Sequence, residues 1–508
     1  MTHLPRNLYR AAQVKELDRL AIESTGLNGV ELMERAGLAA FEVLQHCWPQ
    51  ARNITVICGP GNNGGDGFVV ARLAAAAGMA VEVVLATDAE RLSGAAAQAF
   101  ATMMDAGLSC TESSLKAVGH DKQADVIVDA LFGTGLERPL EGDIAAMISA
   151  LNASQIPVLA IDIPSGVHAD NGQVLGQAVR ATATVSFIGL KQGLVTGQGP
   201  ACCGQLYFDD LQVPEAVYSQ VPVAARCIDY ASTIATTGSP FAPRSPSAHK
   251  GDFGHVLVVG GDLGMGGAAR MAAEAAARVG AGLVSVATRV EHAGAIFSSR
   301  PELMVHGIDS LASLTPLLER ASVIAIGPGL GQGDWGRTGF TRILDKLTTS
   351  ALPLVIDADG LNLLALEPAH YDHWVLTPHP GEAARLLGIS SAEVQADRFA
   401  AARVIQQRYG GVCILKGAGT LVQSVDDDCR VCSDGNPGMA SGGMGDVLTG
   451  VIAGLLAQGF EPEQAAAMAV CIHAHAADIA AREGERGMLA SDLMPVVRRL
   501  VNPVDGTH

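Results

Sequence analysis

The sequence predicts an α/β protein with two domains, because of its length, its composition and the order of its apolar segments. At 508 residues the chain is too long for one ordinary hydrophobic core. Hydrophobic residues make up 48% of the chain and aromatic residues only 4%, and there are 59 glycines. This composition favours aliphatic helices that pack on strands and are joined by tight glycine turns.

The first half of the chain alternates strand-like apolar runs with alanine-rich helical segments. We predict a helix over residues 69–77 and strands at residues 54–58, 81–85, 126–128 and 158–161. That alternation indicates βαβ units and a parallel sheet. We assign residues 1–220 to this first domain.

A second series of strands begins after residue 250. We predict strands at residues 255–259, 283–287, 323–326, 354–356, 374–376 and 412–415. They indicate a second α/β domain, which we assign to residues 225–508. Between the two series, residues 213–249 contain Pro222, Pro240, Pro243 and Pro246 among serines and threonines. This composition predicts a connector that crosses the surface.

The charge and the cysteine content exclude several classes of protein. A net charge of −18 argues against nucleic acid as a partner, since a negative field opposes phosphate backbones. The 10 cysteines are scattered and the N-terminal residues lack an apolar leader, so we expect reduced thiols and a cytoplasmic location. No run reaches the roughly 18 apolar residues that a membrane span requires.

A glycine-rich segment follows the first predicted strand. Residues 59–67 formally match the dinucleotide pattern Gly-x-Gly-x-x-Gly, and Asp88 follows the next strand. Taken alone, this match indicates a nicotinamide-dependent oxidoreductase whose pyrophosphate lies over a helix that starts near Phe68. However, the loop also carries Asn62, Asn63 and Asp66, which point to a ligand with hydroxyl groups or to a cation.

Two further loops follow predicted strands of the same sheet, at residues 129–135 and 162–166. The carboxyl ends of parallel strands meet at one edge of an open sheet, so these loops should converge on one crevice. Together with Asn63, the side chains of Asp129, Asp162 and Ser165 form an oxygen-rich set. Such a set suits a hard cation and ribose hydroxyls, although Asp and Ser can also merely cap helices.

In the second half, residues 436–446 read Asn-Pro-Gly-Met-Ala-Ser-Gly-Gly-Met-Gly-Asp and open onto a helix-like segment. Glycine amides and a helix N-terminus form a site for an anion such as phosphate. We expect Asp446 to act as the base for a hydroxyl that attacks a transferred phosphoryl group. The alternative is a glycine-rich turn that Asp446 caps.

Other loops of the second half are less specific. Glycine motifs occur at residues 260–269 and 327–331, and His379 stands between two prolines, which favours a positioned hydrogen-bonding side chain. Residues 416–420, Lys-Gly-Ala-Gly-Thr, follow a strand and supply a cation near the place expected for Asp446. A mononucleotide would fit there.

Taken in this order, the motifs resemble the bifunctional NAD(P)H-hydrate repair enzymes over nearly the whole chain. The first half resembles the NAD(P)HX epimerase domain through residues 62–66, 129–135 and 162–165. The second half resembles the ADP-dependent (S)-NAD(P)HX dehydratase domain through residues 327–329, 377–381, 416–420 and 442–446. The resemblance implies a Rossmann-like first domain and a ribokinase-like second domain. It also implies that the first domain interconverts the R and S hydrates and that the second dehydrates the S form to NADH or NADPH with ADP.

The resemblance also implies residue roles. In the epimerase half, K⁺ would be held by Asn63, Asp129 and Ser165. The hydrate would be contacted by Asn62, Asn63, Gly64, Gly65, Asp66, Gly133, Thr134, Gly135, Leu136, Glu137, Arg138, Pro139 and Asp162. We take Asp162 as the candidate acid or base of epimerisation.

In the dehydratase half, the resemblance places Ala268, Gly329, His379 and Asp446 against the hydrate. The adenine nucleotide would be contacted by Lys416, Gly417, Ala418, Gly419, Thr420 and Gly445. We expect Asp446 to take the proton of the C6 hydroxyl, so that phosphorylation and loss of phosphate restore the dihydronicotinamide. ADP is the expected co-substrate, Mg²⁺ can accompany it, and we expect a homo-oligomer.

Three other functions fit parts of the sequence. Ribokinase-like vitamin and sugar kinases share a terminal glycine-rich loop with an aspartate, so a small-molecule kinase is the main alternative. The first half could instead be a dinucleotide-binding module without activity. An oxidoreductase would leave the motifs of the second half unexplained.

Overall fold

The chain divides into two units, Met1–Cys227 and Ile228–His508. The computed structural model describes residues 4–112, 124–236, 241–309, 311–425 and 428–502. Both units are built from a largely parallel sheet and helices, which confirms the predicted α/β class.

The first unit contains strands β1 to β10 and helices α1 to α7. Its strands are Asn7–Tyr9 (β1), Asn53–Cys58 (β2), Ala80–Leu85 (β3), Cys110–Glu112 (β4), Val126–Ala130 (β5), Val158–Ile161 (β6), Ala183–Phe187 (β7), Leu190–Lys191 (β8), Gln205–Asp209 (β9) and Ala225–Ile228 (β10), the last of which ends at the unit boundary. Its helices are Ala11–Thr25 (α1), Gly29–Cys47 (α2), Asn62–Ala76 (α3), Gly94–Asp105 (α4), Gly142–Ala153 (α5), Gly199–Cys203 (α6) and Glu215–Tyr218 (α7).

The main sheet of the first unit has the strand order β4-β3-β2-β5-β6-β7-β9, and its neighbouring strands run parallel. Both faces are covered. Val56 and Val128 lie in a core with helices α2 and α3, whereas Ile57 and Ile127 lie in a core with α5. Burial on both faces explains why these strands are continuous apolar runs.

The second unit begins with helix Tyr230–Thr236 (α8) and continues with strands β11 to β19. The strands are His255–Val259 (β11), Leu283–Thr288 (β12), Met304–Gly307 (β13), Val323–Ile326 (β14), Leu354–Ile356 (β15), Trp374–Leu376 (β16), Val412–Leu415 (β17), Thr420–Gln423 (β18) and Cys429–Cys432 (β19). The remaining helices are Gly266–Val279 (α9), Val290–Ser299 (α10), Thr315–Arg320 (α11), Asp334–Leu347 (α12), Ala358–Leu366 (α13), Pro380–Leu387 (α14), Ser391–Ala396 (α15), Arg398–Tyr409 (α16), Met444–Ala457 (α17), Pro462–Ala480 (α18) and Leu493–Leu500 (α19).

The strands of the second unit follow the order β13-β12-β11-β14-β15-β16-β17-β18-β19. They are parallel as far as β17, and β18 and β19 then continue antiparallel. Helices α9 and α17 pack closely on one face, because glycines of α17 admit the backbone of α9. A methyl group at Gly450 would lie 2.0 Å from the carbonyl oxygen of Ala272. This packing sets the N-termini of both helices at the carboxyl edge of the sheet.

Two predictions of local structure are wrong. Residues 213–249 are not a bare connector, since they include α7, β10 and α8, and Val217, Val221 and Tyr230 are buried. Strand β10 pairs antiparallel with β1, so apolar burial outweighs the proline-rich composition here. Pro240 lies outside the described residues. Helix α3 starts at Asn62 rather than near Phe68, because the glycines of this segment are part of its first turns.

None of the helices within the described ranges is both long and apolar enough to cross a membrane.

Candidate active sites

The glycine loop after β2 packs backbone against backbone. A methyl group at Gly59 would lie 1.9 Å from the carbonyl oxygen of Leu131, and one at Gly64 would lie 2.0 Å from that of Gly59. Side chains at these two positions would therefore push the loops apart. Glycine is needed here so that the start of α3 can approach the loop that follows β5.

Asp129, Ser165 and Asn63 lie around this loop. Ser165 donates to Asp129 through its hydroxyl at 2.6 Å and its backbone N–H at 2.8 Å, and its Oγ accepts from the N–H of Phe132. Burial raises the pKa of Asp129 to about 6, although the hydrogen bonds from Ser165 and Leu131 oppose this shift. Both polar side-chain atoms of Asn63 are buried and have no hydrogen-bond partner among the described residues. The cluster therefore presents oxygen atoms and a buried negative charge that a cation would satisfy.

Asp162 follows β6 with a φ of +67°, a conformation that side-chain-bearing residues rarely adopt. Its carboxylate accepts a hydrogen bond from the ammonium group of Lys191. Lys191 is only 1% exposed, and its Nζ also donates to Ser186 Oγ at 3.2 Å and to the carbonyl of Phe187 at 3.0 Å. The carboxylate of Asp162 is thus fixed by a buried cation that is itself fully bonded.

A cavity of about 710 Å³ opens above these groups. Nine of the predicted substrate contacts line it: Asn62, Asn63, Asp66, Gly133, Thr134, Gly135, Leu136, Glu137 and Asp162. Gly64, Gly65, Arg138 and Pro139 do not line it. A methyl group at Gly133 would lie 3.3 Å from Asp162 Oδ2 and 3.4 Å from Asn63 Cβ, so the loops from β2, β5 and β6 do converge.

Two more carboxyl groups face the same cavity, those of Asp66 and Asp18. Burial and then the charges of Asp162 and Asp18 hold the pKa of Asp66 well above its ordinary value, against the opposing charge of Lys191. Burial likewise raises the pKa of Asp18 to about 6. The cavity therefore combines a fixed ion pair with two carboxyl groups whose pKa values are raised by burial.

In the second unit, Asp357 lies at the centre of a hydrogen-bonded group after β15. Its Oδ1 accepts from Lys416 Nζ at 2.7 Å and from Thr377 Oγ1 at 2.8 Å, and its Oδ2 accepts from Thr449 Oγ1 at 2.9 Å. Burial raises the pKa of Asp357, but the charge of Lys416 and these hydrogen bonds outweigh it and lower the pKa overall. Asp357 is therefore an anion that joins the loops after β15, β16 and β17 to helix α17.

Asp446 lies in the first turn of α17, beside this group. A methyl group at the preceding Gly445 would lie 3.3 Å from Lys416 Nζ and 3.5 Å from Asp357 Oδ2. Burial, followed by the negative charge of Asp357, raises the pKa of Asp446 to about 7, although Lys416 opposes the shift. The predicted proximity of Lys416 to Asp446 is thus found. A carboxyl group with such a pKa can accept a proton near neutral pH.

His379 and Glu382 lie at the start of α14, on the other side of Lys416. The Nδ1 atom of His379 accepts from the N–H of Gly381 at 2.9 Å, and Glu382 Oε2 lies 3.8 Å from Lys416 Nζ. Burial and the charges of Lys416 and Arg385 lower the pKa of His379, so its imidazole is neutral at pH 7. Its ring is half-exposed and can reach a ligand.

Ala268 and Gly329 lie side by side at the N-terminus of α9. A methyl group at Gly329 would lie 3.2 Å from Ala268 Cβ and 2.7 Å from the carbonyl oxygen of Met265. Helix α9 also contacts the glycine loop before α17, since a methyl group at Gly443 would lie 2.7 Å from the side chain of Met271. The two predicted hydrate contacts therefore lie on the same edge of the sheet as Asp446.

The loop at residues 416–420 is held from behind by Arg398. Its guanidinium group is buried and donates to the carbonyl oxygens of Leu415, Lys416 and Gly419, at 3.2, 3.4 and 3.3 Å. Burial lowers the pKa of Arg398 to about 10, so it is still charged at pH 7. The turn that carries Lys416 is consequently fixed by a buried cation.

The second unit contains a cavity of about 790 Å³, which lies away from Asp446. It is lined by residues at the C-terminal ends of α9 and α17, such as Gly280 and Gln458, and contains none of the residues around Asp446. The volume of a cavity therefore does not identify the candidate active site of this unit. Asp446, Lys416 and Asp357 lie at the opposite ends of the same helices and strands.

Known proteins match both halves of the chain. Residues 256–499 match the family described as NAD(P)H-hydrate dehydratase, and residues 29–193 match the family described as YjeF-related protein N-terminus. A bifunctional NAD(P)H-hydrate repair enzyme from Coxiella burnetii is 50% identical, over 98% of this chain and 99% of its own length. The chain belongs to the family of bifunctional NAD(P)H-hydrate repair enzymes. It therefore combines an epimerase half with a dehydratase half.

Two other comparisons agree with this assignment. A bifunctional NAD(P)H-hydrate repair enzyme from Escherichia coli is 44% identical, over 98% of this chain and 95% of its own length. The solved structure of a hypothetical protein from Streptococcus mutans is 32% identical with a TM-score of 0.50, and the match covers 54% of this chain and 98% of that chain. The resemblance inferred from the motifs is confirmed.

Sequence reasoning missed several residues of the two sites. In the epimerase half these are Lys191 and Asp18, and in the dehydratase half they are Arg398 and Thr449. A lone lysine within the apolar residues 183–195 was a usable signal for Lys191, because a lysine there must be buried. Asp18 lies in an ordinary amphipathic helix, and nothing in its neighbourhood distinguishes it.

Proposed function

We propose that the dehydratase half uses ADP as phosphoryl donor to dehydrate the S hydrates of NADH and NADPH, with Asp446 as the base. The observation that supports this most directly is the position of Asp446 at the N-terminus of α17, beside Lys416. A carboxyl group whose pKa is about 7 can take a proton from a hydroxyl group that attacks phosphorus.

The proposed reaction proceeds in two steps. Asp446 takes the proton of the C6 hydroxyl while the hydroxyl oxygen of the hydrate attacks the terminal phosphorus of ADP. The bond from that phosphorus to AMP breaks, and AMP leaves. The C6–O bond then breaks with loss of phosphate, a proton leaves C5, and the dihydronicotinamide double bond forms. In this proposal the amides of residues 442–445 stabilise the negative charge of the transferred group.

The nucleotide is proposed to lie against residues 416–420 and Gly445, and the hydrate against Ala268, Gly329 and His379. Lys416 supplies the positive charge for the phosphates. Within the described ranges, no group of three or more His, Cys, Asp or Glu side chains is arranged to hold a metal ion. Mg²⁺ would enter with ADP, held mainly by phosphate oxygens, and would neutralise part of their charge.

For the epimerase half, we propose that the R and S hydrates bind in the cavity above Asp162, which acts as an acid or base at C6. Asn63, Asp129 and Ser165 would hold K⁺. They fit a monovalent cation because the buried Oδ1 of Asn63 has no partner among the described residues and no basic side chain there bonds to Asp129. Bound K⁺ would supply a positive charge that orders the loops around the substrate.

The proposal is tested by the Asp446→Asn variant of the full chain, supplied with the separate R and S hydrates and with ADP. We expect dehydration to fall by about 10²-fold or more, because a carboxamide cannot take the proton. Epimerisation should stay at its wild-type rate. Return of the dihydronicotinamide absorbance, together with release of AMP and phosphate, measures the first reaction.

The matched control is Asp345→Asn, which makes the same change at an exposed position of the same unit. If Asp446→Asn dehydrated as fast as this control, the assignment of the base would be wrong. A stable phosphorylated product in the wild-type reaction would instead indicate the small-molecule kinase. The Asp162→Asn variant should not epimerise the hydrates, but it should still dehydrate the pure S hydrate.

A further inference from the structure

The epimerase cavity contains more titratable groups than the assigned roles use. Asp162, Asp66, Asp18 and Lys191 all line it. The roles stated above engage Asp162 as an acid or base and Asp66 only as a substrate contact. When the hydroxyl group at C6 leaves one face and a new hydroxyl group adds to the other, one proton must be delivered and one removed. A single carboxylate therefore leaves one of the two proton transfers without an assigned residue.

Lys191 cannot supply the missing proton without breaking its own contacts. An ammonium group has three N–H donors, and those of Lys191 are directed to Asp162, to Ser186 Oγ and to the carbonyl of Phe187. It is also only 1% exposed, although it lines the cavity. Its role is therefore to hold the carboxylate of Asp162 in place.

The environment of Asp66 differs from that of Asp162, which accepts a hydrogen bond from Lys191. Asp66 is buried in the first turns of α3, and no basic side chain among the described residues bonds to it. Burial and the neighbouring carboxylates of Asp162 and Asp18 hold its pKa well above the ordinary value. In the same cavity, one carboxyl group thus lies against a cation and another lies without one, which is the arrangement that separates a base from an acid.

Resting on the epimerase function proposed above, we propose that Asp66 is the catalytic acid, that Asp162 is the base, and that Lys191 is a positioning residue for Asp162. Asp66 donates its proton to the C6 hydroxyl. The C6–O bond breaks, water leaves, and the lone pair of N1 forms an N1=C6 double bond.

The cationic ring is then stabilised by the carboxylate of Asp162. A water molecule adds to the other face of C6, and Asp162 takes its proton. One water leaves and one enters, and solvent returns the proton from Asp162 to Asp66. No oxidant, reductant or nucleotide is consumed.

The first experiment compares full-length wild-type protein with Asp66→Asn, using the separate R and S hydrates of NADPH. We expect kcat for epimerisation to fall by about 10²-fold or more, with hydrate affinity changed by less than about threefold. Asp105→Asn, an exposed aspartate of the same unit, is the matched control. The melting temperature and the far-ultraviolet circular dichroism of each variant show whether its epimerase half is folded.

Oxygen exchange tests the bond that breaks. In water enriched in ¹⁸O, each molecule epimerised by the wild-type protein should acquire one labelled oxygen at C6. Early turnovers without label would overturn the step, because the ring would then have opened without loss of its oxygen. Epimerisation by Asp66→Asn at more than about a third of the wild-type kcat would overturn the assignment of the acid.

Lys191 is tested by Lys191→Ala and Lys191→Met. Both should lower kcat far more than they raise KM, and added methylammonium should partly restore the Ala variant, whose cavity admits it. A purely structural lysine would give no such rescue, and absence of rescue in a variant whose melting temperature and circular dichroism match the wild type would refute the positioning role. If the wild-type chain does not interconvert the hydrates, the epimerase function itself fails. If it does, and Asp66→Asn does so equally, only this inference fails.

Discussion

Lys416 Nζ lies 2.7 Å from Asp357 Oδ1, although the two residues are 59 positions apart in the sequence. Asp357 is 2% exposed, and the same Lys416 borders Gly445 at the start of α17. The ion pair therefore fixes the loop at residues 416–420, which is proposed to bind the nucleotide, beside the proposed base, Asp446. Its geometry links the stability of the dehydratase half to its activity.

Replacing Lys416 with methionine should weaken both properties. The variant leaves the carboxylate of Asp357 buried without its cation, which typically costs about 3–5 kcal/mol. We expect a lower melting temperature and an increase in the Kd for ADP, measured by thermal unfolding and by calorimetry. Lys250→Met, at an exposed position of the same unit, should change neither. Unaltered ADP affinity in Lys416→Met would exclude the proposed nucleotide site.

Dehydration should depend on the protonation of Asp446. Its pKa of about 7 means that the base is increasingly protonated below neutrality, so kcat/KM should fall about tenfold per pH unit on the acidic side. A pH profile of the wild-type protein with the S hydrate and ADP measures this limb. A flat profile between pH 5.5 and about 7 would show that another group removes the proton.

The same pKa has a consequence for stability. Because burial and Asp357 raise the pKa in the folded state, Asp446 favours folding most below its ordinary pKa of 3.8, and this contribution is lost progressively as the pH rises from there to about 7. Asp446→Asn mimics the protonated form at every pH. Its melting temperature should therefore match the wild-type value only near the ordinary carboxyl pKa of 3.8, and exceed it by an amount that grows as the pH rises to about 7, which differential scanning calorimetry can test.

In the epimerase half, the close approach of Gly64 to Gly59 predicts that alanine is tolerated much less well at Gly64 than at Gly61. Gly64→Ala places a methyl group 2.0 Å from the carbonyl oxygen of Gly59, whereas Gly61→Ala meets no atom within 4 Å. Overpacking of this kind costs about 1–3 kcal/mol. We expect Gly64→Ala to lower the melting temperature and the epimerase rate, and Gly61→Ala to affect stability much less. Equal stability of the two variants would contradict the described approach.

Potassium should bind and stabilise the epimerase half if Asn63, Asp129 and Ser165 hold it. An ion present at 100 times its Kd stabilises the folded state by about 2.7 kcal/mol. Replacing choline chloride with KCl should therefore raise the melting temperature and the epimerase rate of the wild-type protein. Asp129→Asn should lose this response, and Asp105→Asn should keep it. Equal behaviour of the wild-type protein in both salts would rule out the cation site.

Much of the dehydratase site could be predicted because its residues occur in contiguous motifs. The order of motifs at residues 327–329, 377–381, 416–420 and 442–446 indicated both the family and the edge of the sheet. Parallel strands bring their carboxyl ends together whatever their exact lengths, so loops that follow strands can be assigned to one site. The wrong prediction of a connector at residues 213–249 shows where such reasoning from local composition fails. Part of this proline-rich segment forms a strand, because it pairs with β1.

Backbone motifs with fixed spacing were enough to predict the α/β class, the family and most residues proposed to contact the hydrate and the nucleotide. Which charged side chains meet follows instead from the folded sheet. Lys191 and Asp162 are separated by 29 residues, and Lys416 and Asp357 by 59. The strength of such contacts depends on burial and on distances of a few ångströms, and these arise only when the whole sheet has formed.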